Sequence, residues 1–155
     1  TKATMNDKSD ANIDLTNADS FPFWSRDRIR FADLDINGHV NNIAFAVYCE
    51  SGRVHFRETL TARPKPGEKT EFVVLKVSIT YIQQGYYPDE VDIGTRVLKL
   101  GNSSCTMGQG LFCDGDCIGT AETIWVYTDQ TAGKSMTMPD KMRNLLSPYM
   151  RGRED

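Results

Sequence analysis

Hydrophobic and polar positions follow two rhythms along this chain. Val73, Leu75, Val77, Ile79 and Tyr81 alternate with Lys76, Ser78 and Thr80, a period of two that predicts a half-buried strand. Val91 to Leu100 reads as a second strand, ending at Gly101-Asn102. Cys105 to Cys113 reads as a third. Cys105, Met107, Leu111 and Cys113 share one parity, and the segment ends in Asp114-Gly115-Asp116, a turn that signals a hairpin. Ile118 to Tyr127 is the partner, with Ile118, Ile124 and Val126 on one face and Ala121, Trp125 and Tyr127 on the other. A shorter strand is predicted over Arg26 to Ala32.

The second rhythm is helical. Ile43 to Cys49 is apolar at every position, and beyond it Glu50, Arg53, Arg57 and Glu58 alternate with Val54, Phe56 and Leu60. Asn41 and Asn42 are good caps, so the spacing predicts a helix over Asn42 to Leu60, about 28 Å long. Its first half is apolar all round, which implies burial on nearly every side and a sheet that wraps around it. Thr137, Pro139, Asp140 and Lys141 start a short closing helix with Met142, Leu145 and Leu146 as its apolar face. The order of elements predicts an α+β domain, an antiparallel sheet around one long central helix. Residues 1–20 are polar and aperiodic and read as an N-terminal arm, which Phe21, Phe23 and Trp24 could dock onto the body. Residues 21–150 read as one domain, and 151–155 as a polar tail.

Composition narrows the function without choosing it. At 155 residues, 39% hydrophobic and 25% charged, the chain suits one globular domain with one core. A net charge of −3 argues against non-specific nucleic-acid binding, which needs a basic footprint. No apolar stretch is long enough to span a bilayer, and the N-terminal residues lack the pattern of a signal peptide. Cys49, Cys105, Cys113 and Cys117 show no CxxC spacing, and both histidines lie far from Cys113 and Cys117 in the sequence, so the four read as reduced, mostly buried thiols rather than a disulfide or zinc framework. A reducing, cytoplasmic location is the expectation, with no metal.

The densest polar cluster is Asp33-Leu34-Asp35-Ile36-Asn37-Gly38-His39-Val40-Asn41-Asn42, directly before the central helix. The first N–H groups of a helix lack partners within it and carry partial positive charge. A carboxylate just upstream could face a carbonyl held there, the minimum equipment for acyl transfer. The same residues also fit an ordinary turn and cap, and His39 a hydrogen-bonded structural role.

The run from Arg30 to Asn42 resembles the D-x-D-x-x-G-H-V-N-N signature of the 4-hydroxybenzoyl-CoA thioesterase-like family of hotdog enzymes. Tyr48-Cys49-Glu50-Ser51-Gly52-Arg53 resembles that family's Glu-containing helix. Asp89-Glu90-Val91, Leu100 to Ser104, Val126 to Asp129 and Met138 to Met142 resemble further segments, so the likeness covers roughly residues 25–149. It implies a hotdog fold and hydrolysis of an acyl-CoA, with Asp35 as nucleophile or general base. A backbone N–H at Asn42, with Asn41 beside it, would polarise the thioester carbonyl. Gly38 belongs to the same motif, and the side chains of His39 and Asn42 are candidates for orienting Asp35 or water. The Gly-His-Val-Asn-Asn version looks like the general acyl-CoA branch rather than the benzoyl-specific one. Asp33 reads as a structural turn residue. Glu50 is a candidate at the substrate, weighed against an ion pair with Arg53 at a subunit interface.

For coenzyme A, Arg63, Lys65, Lys69, Arg96 and Lys99 are candidates at the phosphates, and Asn102, Ser103 and Ser104 at polar groups, with Lys99, Ser103 and Ser104 singled out. No separate cofactor is expected, since coenzyme A is part of the substrate. Two other readings stand beside hydrolysis: a hotdog hydratase or dehydratase, and a non-catalytic acyl-CoA-binding module. One curved sheet on one helix leaves apolar surface and strand edges open. A homo-oligomer is therefore expected, a dimer or a tetramer, with no nucleic-acid or membrane partner.

Overall fold

A computed structural model describes residues 13–61 and 72–152. The central helix, α1, spans Asn42–Leu60, as its spacing predicts, with Asn41 as N-cap: the Asn41 side chain accepts from the N–H of Ile43. Five main strands form the sheet: β1 (Phe23–Arg28), β2 (Phe72–Tyr81), β3 (Glu90–Leu100), β4 (Ser104–Cys113) and β5 (Asp116–Asp129). They lie in the order β1-β3-β4-β5-β2, all antiparallel, and a two-residue strand, β6 (Lys134–Ser135), pairs with β5. The closing helix α2 is Asp140–Leu146. A curled antiparallel sheet around one long helix is the hotdog fold.

The first strand lies earlier than the sequence suggests. Phe23–Arg28 pairs with Thr95–Glu90, and Phe31–Asp33 is a single 3-10 turn. Arg26 fixes this register from the solvent side, reaching Asp92 at 2.7 Å and Glu90 at 3.1 Å. Phe23 and Trp24, read as docking aromatics, are strand residues. Phe21 docks instead: it is fully buried against Gly94 and Gly110, where a Cβ would come within 2.5 Å and 2.8 Å of its ring.

The core between α1 and the sheet is built in three layers. Nearest the Asp35 loop, Phe45, Tyr48 and Cys49 pack with Ile93, Leu111, Ile118 and Ala121. At the far end, Phe56 packs with Val97, Met107, Trp125 and the α2 residues Met142 and Leu146. Between them runs one polar rung. Thr95, Gln109 and Thr123, one from each of three neighbouring strands, are fully buried beneath Arg53. Gln109 donates to the Cys49 carbonyl (3.0 Å) and Thr95 Oγ1 (3.2 Å), and Arg53 donates to Gln109 Oε1 (3.4 Å) and Thr123 Oγ1 (3.3 Å). Gly52 makes room for this: a Cβ there would lie 2.5 Å from Ile93 Cγ2 and 2.7 Å from Gln109 Nε2.

Burial of α1 is one-sided, contrary to its all-round apolar pattern. Ile43 is 73% exposed, and Val47, Glu50 and Val54 follow it on the open face. The edge strand β2 departs similarly. A bulge between Val74 and Lys76 breaks its alternation, and Val73, Val74, Leu75, Val77 and Tyr81 are all exposed. The physical reason is shared: the sheet of one chain covers only one side of its helix and leaves one edge of β2 unpaired.

Candidate active site

The loop before α1 closes on itself. A bridge pairs Leu34 with Val40, the Asn41 N–H donates to the Asp33 carbonyl at 2.8 Å, and the Asp35 N–H donates to the His39 carbonyl at 2.8 Å. Gly38 closes the turn at φ +78°, a left-handed conformation that glycine adopts without strain. The Val40 N–H donates to the Gly85 carbonyl at 3.0 Å, which ties the loop to the segment after β2.

Within this frame the two aspartates differ. Asp33 turns inward, its side chain only 9% exposed. It accepts from the Tyr48 hydroxyl at 2.7 Å and from the Arg30 N–H at 2.9 Å, and pairs with the Arg30 guanidinium at 3.3 Å. Burial pushes its pKa up, but those hydrogen bonds and the Arg30 charge outweigh burial and hold the carboxyl below its ordinary value. Burial, then the bond to Asp33, drives the Tyr48 hydroxyl far above the usual tyrosine range. Asp33 is a strut between the loop and α1.

Asp35 is held by one oxygen only. Its Oδ1 accepts from the N–H groups of Asn37 (2.8 Å) and His39 (3.2 Å), while Oδ2 meets no donor among the described residues. The carboxylate is half-buried. At the start of α1 the N–H groups are similarly divided. Asn41 donates to Asp33, Ile43 to the Asn41 side chain, and Ala44 to the Asn41 carbonyl. The Asn42 N–H meets no acceptor among the described residues, so the first free N–H of the helix follows Asp35 across the closed loop. Asn41 is occupied as the cap, and its N–H is spent on the loop.

The other candidates fall into separate places. The His39 ring packs edge-on against Tyr86, with centroids 5.5 Å apart, and His39 touches Asp35 through its backbone. The Asn42 carbonyl lies 3.4 Å from the Tyr81 hydroxyl. Glu50 lies on the open face of α1, about 12 Å along the axis from Asn42. It forms no ion pair with Arg53, which bonds the polar rung instead. Lys99, Ser103 and Ser104 stand at the opposite end of the sheet. There the Ser103 carbonyl accepts from Tyr127 at 2.7 Å, and the Gly101 and Asn102 carbonyls accept from Arg143 at 2.9 Å and 3.3 Å. With β3 about 30 Å long, one chain does not bring this turn to Asp35. Arg96 is buried and donates to the carbonyls of Ser20 and Met150, tying the segment before β1 to the C-terminal turn. Arg63, Lys65 and Lys69 lie outside the described residues.

Tyr48, which donates to Asp33, and the polar rung are features that sequence patterning misses. Their signal is slight: a lone hydroxyl in the apolar run of α1, and a polar Gln109 on the otherwise apolar parity of β4. Of the four thiols, Cys49, Cys105 and Cys113 are buried and Cys117 is partly so. Burial pushes Cys49 and Cys113 up to about 11 and Cys105 to about 12, far from the reactive range.

A family model described as the thioesterase-like superfamily matches residues 29–146. The chain belongs to this superfamily. The matched span runs from the residue after β1 to the last residue of α2, and so holds the Asp35 loop, α1 and most of the sheet. A thioesterase from Thermus thermophilus, solved with coenzyme A and Zn, aligns with a TM-score of 0.76 at 29% identity, over 84% of this chain and 96% of that one. YsmA, an uncharacterised protein of Bacillus subtilis (strain 168), is 26% identical over 130 residues, covering 82% of this chain and 86% of its own. The Staphylococcus aureus protein SAV2348, solved with CoA, gives a TM-score of 0.76 at 14% identity over 83% of each chain, a likeness of fold alone. Among the described residues, no three His, Cys, Asp or Glu side chains gather as metal ligands, and no helix is long and apolar enough to cross a membrane. Membership in the superfamily supports a thioesterase-type function.

Proposed function

We propose that the protein hydrolyses an acyl-CoA to the free acid and coenzyme A, with Asp35 as the catalytic carboxylate. The observation that carries this reading is the asymmetry of Asp35: one oxygen is anchored by two N–H groups while the other meets no donor among the described residues, and the Asn42 N–H at the start of α1 meets no acceptor among them. In the general-base route, Asp35 takes a proton from water as its oxygen adds to the thioester carbon. The Asn42 N–H receives the developing oxyanion, and the tetrahedral adduct collapses by expelling the thiolate. In the nucleophilic route, Asp35 attacks the carbon itself and expels the thiolate, and water then cleaves the mixed anhydride to the free acid and the Asp35 carboxylate. Neither route demands strong protonation of the leaving group, because a thiol ionises near pH 8.5.

His39 serves this reading through its backbone, by holding Asp35, and its ring walls the loop with Tyr86. Coenzyme A is the ligand named for the Thermus relative, and its nucleotide end would be held by Lys99, Ser103 and Ser104 of a second copy. That arrangement requires a homo-oligomer joined along the open edge of β2 and the open face of α1. Free-thiol release from short, medium, long and aromatic acyl-CoAs tests the proposal. Asp35→Asn should lower turnover roughly a hundred- to ten-thousand-fold while the melting temperature is retained. Turnover unchanged in that variant would remove Asp35 from the mechanism. Acyl-CoA bound without turnover by the native protein would make it a binding module.

A further inference from the structure

Arg53 is a buried cation that forms no ion pair among the described residues, with the Glu50 charge nearby on α1. It is 6% exposed, and its hydrogen-bond partners are neutral, Gln109 and Thr123 at 3.4 Å and 3.3 Å through one nitrogen. Among the described residues no carboxylate lies within ion-pair distance of it. A guanidinium taken from water without an opposite charge is costly, and burial works against its protonated form. The same side chain lines a pocket of about 240 Å³ between α1 and the β2 edge of the sheet. Its walls are Val54, Phe72, Val74 and Trp125, with the Phe72 and Trp125 rings stacked 5.3 Å apart. Glu50 and Arg57, of opposite charge, complete the lining.

We propose that this pocket is a carboxylate-binding subsite, taking a carboxylate carried on an apolar chain or ring, with Arg53 as its anchor. The carboxylate would accept from the guanidinium N–H groups not used by Gln109 and Thr123. The apolar body would lie against Phe72, Val74 and Trp125. Two sources carry this chemistry. One is a free carboxylic acid, the kind of product a thioester hydrolase releases. The other is the far carboxylate of a dicarboxylic acyl group whose thioester end sits at Asn42. Arg53 lies about 16 Å along the helix axis from that end, and Ile43 and Val47 line the open face between them, followed by Glu50. Only the second source rests on the acyl-CoA reading.

Trp125 reports occupancy directly. The chain has two tryptophans, and Trp24 packs with Phe21 and Phe112 away from this pocket, so Trp24→Phe isolates the Trp125 signal. Titration of that variant with octanoate and phenylacetate, against octanamide and phenylacetamide, is the first test. The acids should bind more tightly than the amides by about tenfold or more. Adding Arg53→Met should remove that preference while leaving amide binding in place. Equal binding of acids and amides, no binding of either, or a preference that survives Arg53→Met would each overturn the proposal. The acid–amide comparison needs no substitution at Arg53, so it decides even if Arg53→Met fails to fold. The second test compares hydrolysis of mono-CoA thioesters of dicarboxylic acids with monocarboxylic thioesters of matched length. A higher kcat/KM for the dicarboxylic series, lost in Arg53→Met, assigns the subsite to the substrate tail. Equal rates with inhibition by the free acids assign it to the product. Failure to hydrolyse any thioester would defeat the acyl-CoA reading and leave the titration standing.

Discussion

At the scale of single residues, two carboxylates two positions apart have opposite surroundings. Asp33 is ringed by donors and buried, while Asp35 is half-bonded and half-open. The Asp33 pKa lies below its ordinary value. Its contribution to stability is therefore complete above that ordinary value, near pH 4, and is lost as pH falls through the depressed one. Denaturant midpoints measured from neutral pH downward should fall more steeply in the native protein than in Asp33→Asn. Parallel slopes would mean that Asp33 is not the group responsible. Tyr48→Phe should cost about 1–3 kcal/mol, since it leaves a buried carboxylate short of a donor, and urea denaturation would read it. The closed loop that carries Asp35 was legible in the sequence, because the Asp, Asn and Gly spacing that predicts a turn before α1 is the spacing its hydrogen bonds use. The role of the His39 ring was not legible: which atom of a residue makes the contact depends on where Tyr86 arrives, forty-odd positions later in the chain.

At the scale of elements, α1, β3 and β4 keep close to the bounds their pattern predicts, though α1 is buried on one side only and Ile118 joins Ala121 in the core, not Ile124 and Val126. β1 departs in its bounds and β2 in its alternation, and both are edge strands. An edge strand has one neighbour, so its boundaries depend on local contacts such as Arg26 with Glu90 and Asp92 rather than on periodicity. The inner faces of β3, β4 and β5 each break their apolar run once, at Thr95, Gln109 and Thr123, and alternation alone does not reveal that the three breaks align. Gly52→Ala should destabilise the fold by about 1–3 kcal/mol through overpacking against Ile93 and Gln109, visible as a lower melting temperature. A neutral result would show that α1 can lift off the rung at little cost. Phe21→Ala should be costlier, about 3–5 kcal/mol, because its ring fills the groove that Gly94 and Gly110 leave in the sheet.

At the scale of the whole molecule, the surfaces left open say most about assembly. Apolar side chains on both faces of β2 and along the exposed side of α1 would not be stable in water in isolation, and they adjoin one another. Leu75→Lys together with Val77→Lys should shift the protein towards monomer in sedimentation, and activity should fall with it if the nucleotide site is shared between copies. An undisturbed oligomer would place the interface elsewhere. The sequence implied exposure of some apolar surface but not its location, because the all-round apolar stretch of α1 looks the same whether its own sheet or another chain covers it.

The polar rung beneath Arg53 also divides the interior into two apolar compartments that share one helix. Changes in one should be felt weakly in the other. Leu146→Ala and Ile118→Val should add in free energy to within about 0.5 kcal/mol, as distant sites do, whereas either paired with a rung residue should not. Such a partition lets the compartment around α2 vary over generations without moving the Asp35 loop. Stability at the α2 end is thereby separable from the geometry of the Asp35 loop.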